Sequence, residues 1–126
     1  MNLIYVACGG ALGSVARYLT MAAVTRFLGY GFPYGTLAVN IIGSCAMGAL
    51  IGWLAKMSGG FEQARVFIGV GVLGGFTTFS AFSLDVVTLF ERGENPSVLV
   101  YIFASVTLSV IALFAGLYLM RMVGSV

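Results

Sequence analysis

Gly74-Gly75-Phe76-Thr77-Thr78-Phe79-Ser80-Ala81-Phe82-Ser83 lies inside an apolar run, Val66 to Leu84, that is long enough to cross a membrane. A passive lipid anchor does not need such a composition. The adjacent glycines weaken a helix, because glycine gains backbone freedom on leaving one. The adjacent threonines are β-branched and carry hydroxyls that can bond carbonyls released from the ladder. Phe76, Phe79 and Phe82 recur at i, i+3 and i+6. The stretch predicts a helix interrupted near mid-membrane, with carbonyls turned away from the helical ladder. In a bilayer, irregular backbone survives only when buried in protein or lining a polar cavity. An interrupted span of this kind often marks an ion site.

The surrounding chain supports a membrane setting. Of 126 residues, 60% are hydrophobic and 8% charged, against about 25% charged in an average soluble domain. The expected fold is an all-α membrane protein, a single four-helix transmembrane domain over residues 1–126. Its spans fall at about 3–24, 34–54, 66–90 and 97–120, each near the roughly 20 residues that 30 Å of hydrocarbon demands. Linkers are short, and Tyr34, Trp53, Lys56, Tyr118 and Arg121 suit the interfacial belt. The start of the chain lacks a basic region before its apolar run, so it reads as a retained first span. A net charge of +2 argues against a nucleic-acid partner. Cys8 and Cys45 read as small buried hydrophobes. With no histidine and no embedded acid–base pair, nothing looks catalytic, and an enzyme is not expected.

Four spans place both termini on one side. That side carries Lys56, Arg65 and Arg121; the other carries Arg26 and Arg92, with Arg17 inside span one toward it. The positive-inside rule has almost nothing to act on. Such a chain can insert both ways up and pair with an inverted copy of itself, unless a single residue or a helper protein decides its orientation.

Polar and small residues form stripes at helical spacing. Span two has Thr36, Asn40, Ser44, Gly48 and Gly52; span one has Gly9, Gly13 and Arg17, with Gly10 and Ser14; span four has Ser97, Tyr101, Ser105 and Ser109. Each stripe alone fits helix packing; together with a broken span they suggest a polar path. Asn40 is costly inside an uncharged span unless both ends of its amide find partners. It reads either as interhelical glue or as a donor to an anion. Arg17 reads either as a snorkelling interfacial residue or as an attractor of anions to a pore mouth. The span interiors hold an amide, hydroxyls and phenylalanine edges, which carry partial positive charge. Donors without fixed negative charge suit an anion better than a cation.

The decade Gly74–Ser83 closely resembles the signature of the small bacterial fluoride channels, the Fluc or CrcB family. Tyr34-Gly35-Thr36-Leu37-Ala38-Val39-Asn40 looks like that family's second-span motif, and Gly9-Gly10-Ala11-Leu12-Gly13-Ser14-Val15-Ala16-Arg17 like its first. The resemblance implies a passive fluoride-selective channel of the bacterial inner membrane, assembled as an antiparallel, dual-topology homodimer with two pores. It places a pore phenylalanine pair on Phe79 and Phe82 and the pore asparagine on Asn40. Thr36, one turn before Asn40 on the same stripe, is read with them as a pore residue, and the family's fourth-span polar track matches Tyr101, Ser105 and Ser109 more loosely. The resemblance implies a structural sodium ion at the dimer centre, held by the backbone carbonyls of Gly74 and Thr77; the vestibule role of Arg17 rests on its own position as the one cation well inside a span. Relatives often carry Glu where this chain has Asp85. Two other classes are a small dual-topology multidrug exporter, which would need a carboxylate that span one lacks, and a non-transporting membrane subunit whose stripes only pack helices.

Overall fold

The computed structural model describes residues 2–57 and 59–123. Its helices are α1 (Asn2–Leu28), α2 (Tyr34–Leu54), α3 (residues 62–76), α4 (Phe79–Glu91) and α5 (Asn95–Val123). Four segments are long and apolar enough to span a bilayer, the third being α3 and α4 end to end (Glu62–Glu91). The protein is therefore an all-helical, multi-pass membrane protein.

Turn chemistry punctuates the helices. α1 ends at Gly29, whose φ of +91° suits glycine and whose N–H reaches the Thr25 carbonyl at 2.8 Å. α4 ends in a Schellman turn at Gly93 (φ +79°). There the Gly93 N–H donates to Phe90 O (3.0 Å) and the Glu94 N–H to Leu89 O (3.1 Å). Pro96 follows in the first turn of α5, where its missing N–H costs nothing.

The third span departs from a plain helix twice. From Arg65 to Leu73 its turns are wide, of the π type, and the Gly74 N–H reaches back five residues to Gly69 O. Nothing in the sequence pattern suggests this. After one α turn, Gly74–Phe76, the chain opens at Thr77 (φ −83°, ψ 157°) and Thr78 (φ −151°, ψ 122°) before α4 begins. Helix propensity points to an interruption around the Gly-Gly pair. Instead both glycines stay helical and the break falls on the threonines. β-Branched threonine is at ease in extended backbone, and the Thr78 hydroxyl caps α4 by accepting the Ala81 N–H at 3.1 Å. Gly75 serves packing, since a Cβ there would lie 2.8 Å from the Gly10 carbonyl oxygen of α1.

Two glycine seams assemble the helices, joining α1 to α3 and α2 to α5. On the first, Gly9 and Gly13 face the backbone of Phe67, Gly71, Val72 and Phe76. On the second, Gly48 faces Leu113 and Leu117, while Gly116 answers by facing Cys45 and Ala49. Lipid supplies no hydrophobic drive between helices, so close backbone approach does the joining. Val39, Leu50, Leu73, Leu89 and Tyr101 fill the interior, whereas Leu3, Phe27, Phe90, Phe103 and Met122 point outward. Large exposed apolar side chains suit a surface facing hydrocarbon.

Gly13→Ala tests the first seam. Its Cβ would overlap the Val72 carbonyl and stand 2.9 Å from the Phe76 nitrogen, so α1 and α3 must part. The expected cost is about 1–3 kcal/mol, read as a lower unfolding midpoint in detergent. Gly31→Ala, where the added Cβ meets open space, should leave the midpoint unchanged.

Candidate functional site: a cavity at the broken helix

In an unbroken helix the Thr78 N–H would bond Gly74 O, and the Ala81 N–H would bond Thr77 O. Both donors are diverted to side chains. Thr78 N–H donates to Asn40 Oδ1 at 2.8 Å, and Ala81 N–H to the Thr78 hydroxyl at 3.1 Å. The Gly74 and Thr77 carbonyls thereby lose their helical donors. Asn40 completes a two-point pair, its Nδ2 donating to Thr78 O at 3.0 Å. Thr77 closes α3, its N–H and its hydroxyl both donating to Leu73 O at 3.0 Å. Its methyl presses on Gly43 of α2, where no other residue would leave room.

Beside this break a cavity of about 340 Å³ opens between α2, α4 and α5. Asn40, Ser44, Thr77, Thr78, Phe79, Phe82, Ser105 and Ser109 line it, with Met47, Val106, Val110 and Leu113 forming its apolar side. The Ser105 hydroxyl is buried and has no hydrogen-bond partner among the described residues. No lining residue carries a formal charge. Phe79 and Phe82 stand 5.4 Å apart between ring centres, tilted at 42°, and Phe82 continues onto Tyr101 at 5.2 Å. Phe79 is 76% exposed, so most of that ring is free to meet something outside this chain.

A smaller cavity, about 180 Å³, lies toward the loop that joins α1 to α2. Thr25, Phe32, Thr36, Asp85, Thr88 and Arg92 are among its walls. Fully buried Tyr101 stands between the two. Its ring touches Phe82 of the larger cavity and meets Phe32 of the smaller edge-on at 5.4 Å. Its hydroxyl donates to Asp85 Oδ2 at 2.9 Å.

The structure thus gathers Asn40, Phe79, Phe82, Ser105 and Ser109 around one cavity. Thr36 is buried and faces the smaller cavity with Asp85, and Tyr101 divides the two. Gly74 lies on an exposed face, its nearest contact being Gly69 O, 3.7 Å from a built Cβ. Arg17 is half-buried on α1, one turn beyond Gly13, and lines neither cavity. Sequence reasoning misses two residues. Thr78, rather than Thr77, makes the pairing with Asn40; a threonine just before a resumed apolar helix is the available capping signal. Asp85 has no role that the sequence assigns, and no spacing rule links it to Tyr101 sixteen residues on.

Residues 4–117 match the model of the family described as "CrcB-like protein, Camphor Resistance (CrcB)". Relatives named "Fluoride-specific ion channel FluC" align along nearly their whole length. The protein of Chelativorans sp. (strain BNC1) is 52% identical over 95% of this chain and 96% of its own. That of Caulobacter sp. (strain K31) is 52% identical over 99% and 98%, and that of Agrobacterium fabrum 51% over 96% and 97%. On this near-complete match, the chain belongs to the CrcB-like family.

Proposed function

We propose that this protein is a fluoride-selective channel that lets fluoride leave the cell passively across the bacterial inner membrane. The observation that carries the reading is the larger cavity, lined by hydrogen-bond donors and phenylalanine rings without any formal charge, at a helix break in a chain whose relatives are named fluoride channels. Fluoride is small and holds its water strongly. A dry pore would block it, so each lost water must be replaced by a donor. Asn40, Ser105 and Ser109, with the edges of Phe79 and Phe82, would do so one step at a time, and several weak sites let the ion leave. Arg17 serves as the vestibule cation, and Thr36 and Tyr101 continue the path toward the smaller cavity.

The working assembly is an antiparallel homodimer in the lipid bilayer, with one pore per subunit. The near-even charge tally supports it, as does the exposure of Phe79 and Gly74. A structural sodium ion at the dimer centre fits the break, because the Gly74 and Thr77 carbonyls have lost their helical donors to Asn40 and Thr78. Neutral oxygens without a carboxylate suit a monovalent cation. That ion would offset exposed carbonyls and hold the two breaks together.

The decisive experiment is anion efflux from liposomes holding the purified protein. Fluoride should leave and chloride should not; retention of both would leave the non-transporting subunit as the better reading. Asn40→Asp should abolish the flux, since a carboxylate puts like charge in the path and faces the Thr78 carbonyl. Phe82→Ile should cut it about tenfold, roughly 1.4 kcal/mol of barrier, with the dimer still intact by gel filtration; unchanged flux would assign the ring to packing. Two lysines added between Lys56 and Arg65 should lock one orientation and silence the protein expressed alone, and an oppositely locked copy should restore it. Replacing sodium by a larger cation at equal ionic strength should promote dimer dissociation. Equal behaviour in the two media would remove the ion from the assembly.

A further inference from the structure

We propose that the backbone of Thr78 is a positioning group for Asn40: it fixes the carboxamide so that the cavity meets an N–H and not the amide oxygen. This rests on the reading of the larger cavity as an anion path. A carboxamide has two ends of nearly equal size and opposite polarity, and rotation about its last bond exchanges them. Inside a span, where lipid offers no partner to either end, some neighbour must decide between them.

The neighbour here is Thr78. In extended backbone the N–H and C=O of one residue point to the same side, as along the edge of a strand. Thr78, at φ −151° and ψ 122°, has that geometry, and the Asn40 side chain meets it as a second strand would. Oδ1 accepts the Thr78 N–H at 2.8 Å and Nδ2 donates to Thr78 O at 3.0 Å. Exchanging the two ends would set oxygen against oxygen and N–H against N–H, losing both bonds and gaining two repulsions. Because the amide is planar, the pair occupies one Nδ2 hydrogen and leaves the other directed away from Thr78. Asn40 lines the cavity, where the Ser105 hydroxyl also lacks a partner among the described residues. The Thr78 hydroxyl takes no part in the pair. It caps α4 through Ala81 and keeps the peptide extended. One threonine therefore sets the helix start and the polarity that an adjacent side chain shows to the cavity.

The test is side-chain NMR of protein labelled with ¹⁵N at asparagine and titrated with sodium fluoride, or with sodium chloride at the same ionic strength. The chain has only Asn2, Asn40 and Asn95, and the pair of signals missing from Asn40→Ser assigns Asn40. One Nδ2 proton, the partner of Thr78 O, should keep its shift throughout. The other should move with fluoride and stay still with chloride. Joint movement of both protons, or their averaging by fast rotation, would overturn the proposal. So would two static protons in a preparation that still conducts fluoride in liposomes, an outcome that leaves the channel reading standing. Static protons together with absent flux would overturn both.

Discussion

A helix cannot be interrupted in hydrocarbon unless every released backbone group finds another partner. The Asn40–Thr78 pair is where this protein meets that constraint, and much of the structure is arranged to make it possible. Two hydrogen bonds across two helices replace part of the ladder that the break removes. Leaving a buried N–H or carbonyl without a partner costs about 1–3 kcal/mol, comparable to a sizeable share of a domain's net stability. Asn40 thus serves as the interhelical joint that its sequence position allowed. It joins helices, and it keeps one N–H in reserve beside a cavity.

Packing brings Asn40 within reach. α2 must approach the break closely, and Gly43, one turn below Asn40, leaves the space that the Thr77 methyl fills. α3 is held from the other side by α1, through Gly9 and Gly13 and through Gly75 against Gly10. The wide turns from Arg65 to Leu73 stand immediately before the break. Around their end Gly71 and Gly75 both lie against α1 and Gly74 is on an exposed face.

The four spans were legible because apolar length and short linkers leave few alternatives at 8% charged residues. The break was legible as an event and not as a position. Propensity favoured the glycines, but tertiary contacts gave Gly75 a helix to pack against and gave Thr78 an amide to pair with. The spacing rule along α2 correctly grouped small residues, yet it could not separate their roles. Gly48 and Gly52 pack on α5, while Ser44 turns to the cavity. The wide turns left no trace in hydrophobic periodicity. The Tyr101–Asp85 bond depends on how α4 and α5 lie together, which no local pattern encodes.

Asp85 is the feature that an anion path must accommodate, since it is the one acidic residue of the chain set more than a turn inside a spanning segment. Its position relative to Tyr101 resolves the conflict. A phenol has one proton to donate, and Tyr101 gives it to Asp85 Oδ2. While Asp85 holds it, that proton is not free for an anion, and Tyr101 meets the path with its ring. Its ring meets Phe82 at 5.2 Å, so Tyr101 links an acid that lines the smaller cavity to the aromatic wall of the larger one, which that acid does not line. The polar lining of the larger cavity is Asn40, Ser44, Thr77, Thr78, Ser105 and Ser109, none of it charged. Thr36 and Asp85 belong to the smaller cavity, together with the Arg92 side chain. The polar stripe along α5 therefore has two tasks: Tyr101 anchors an acid, and Ser105 and Ser109 line the larger cavity.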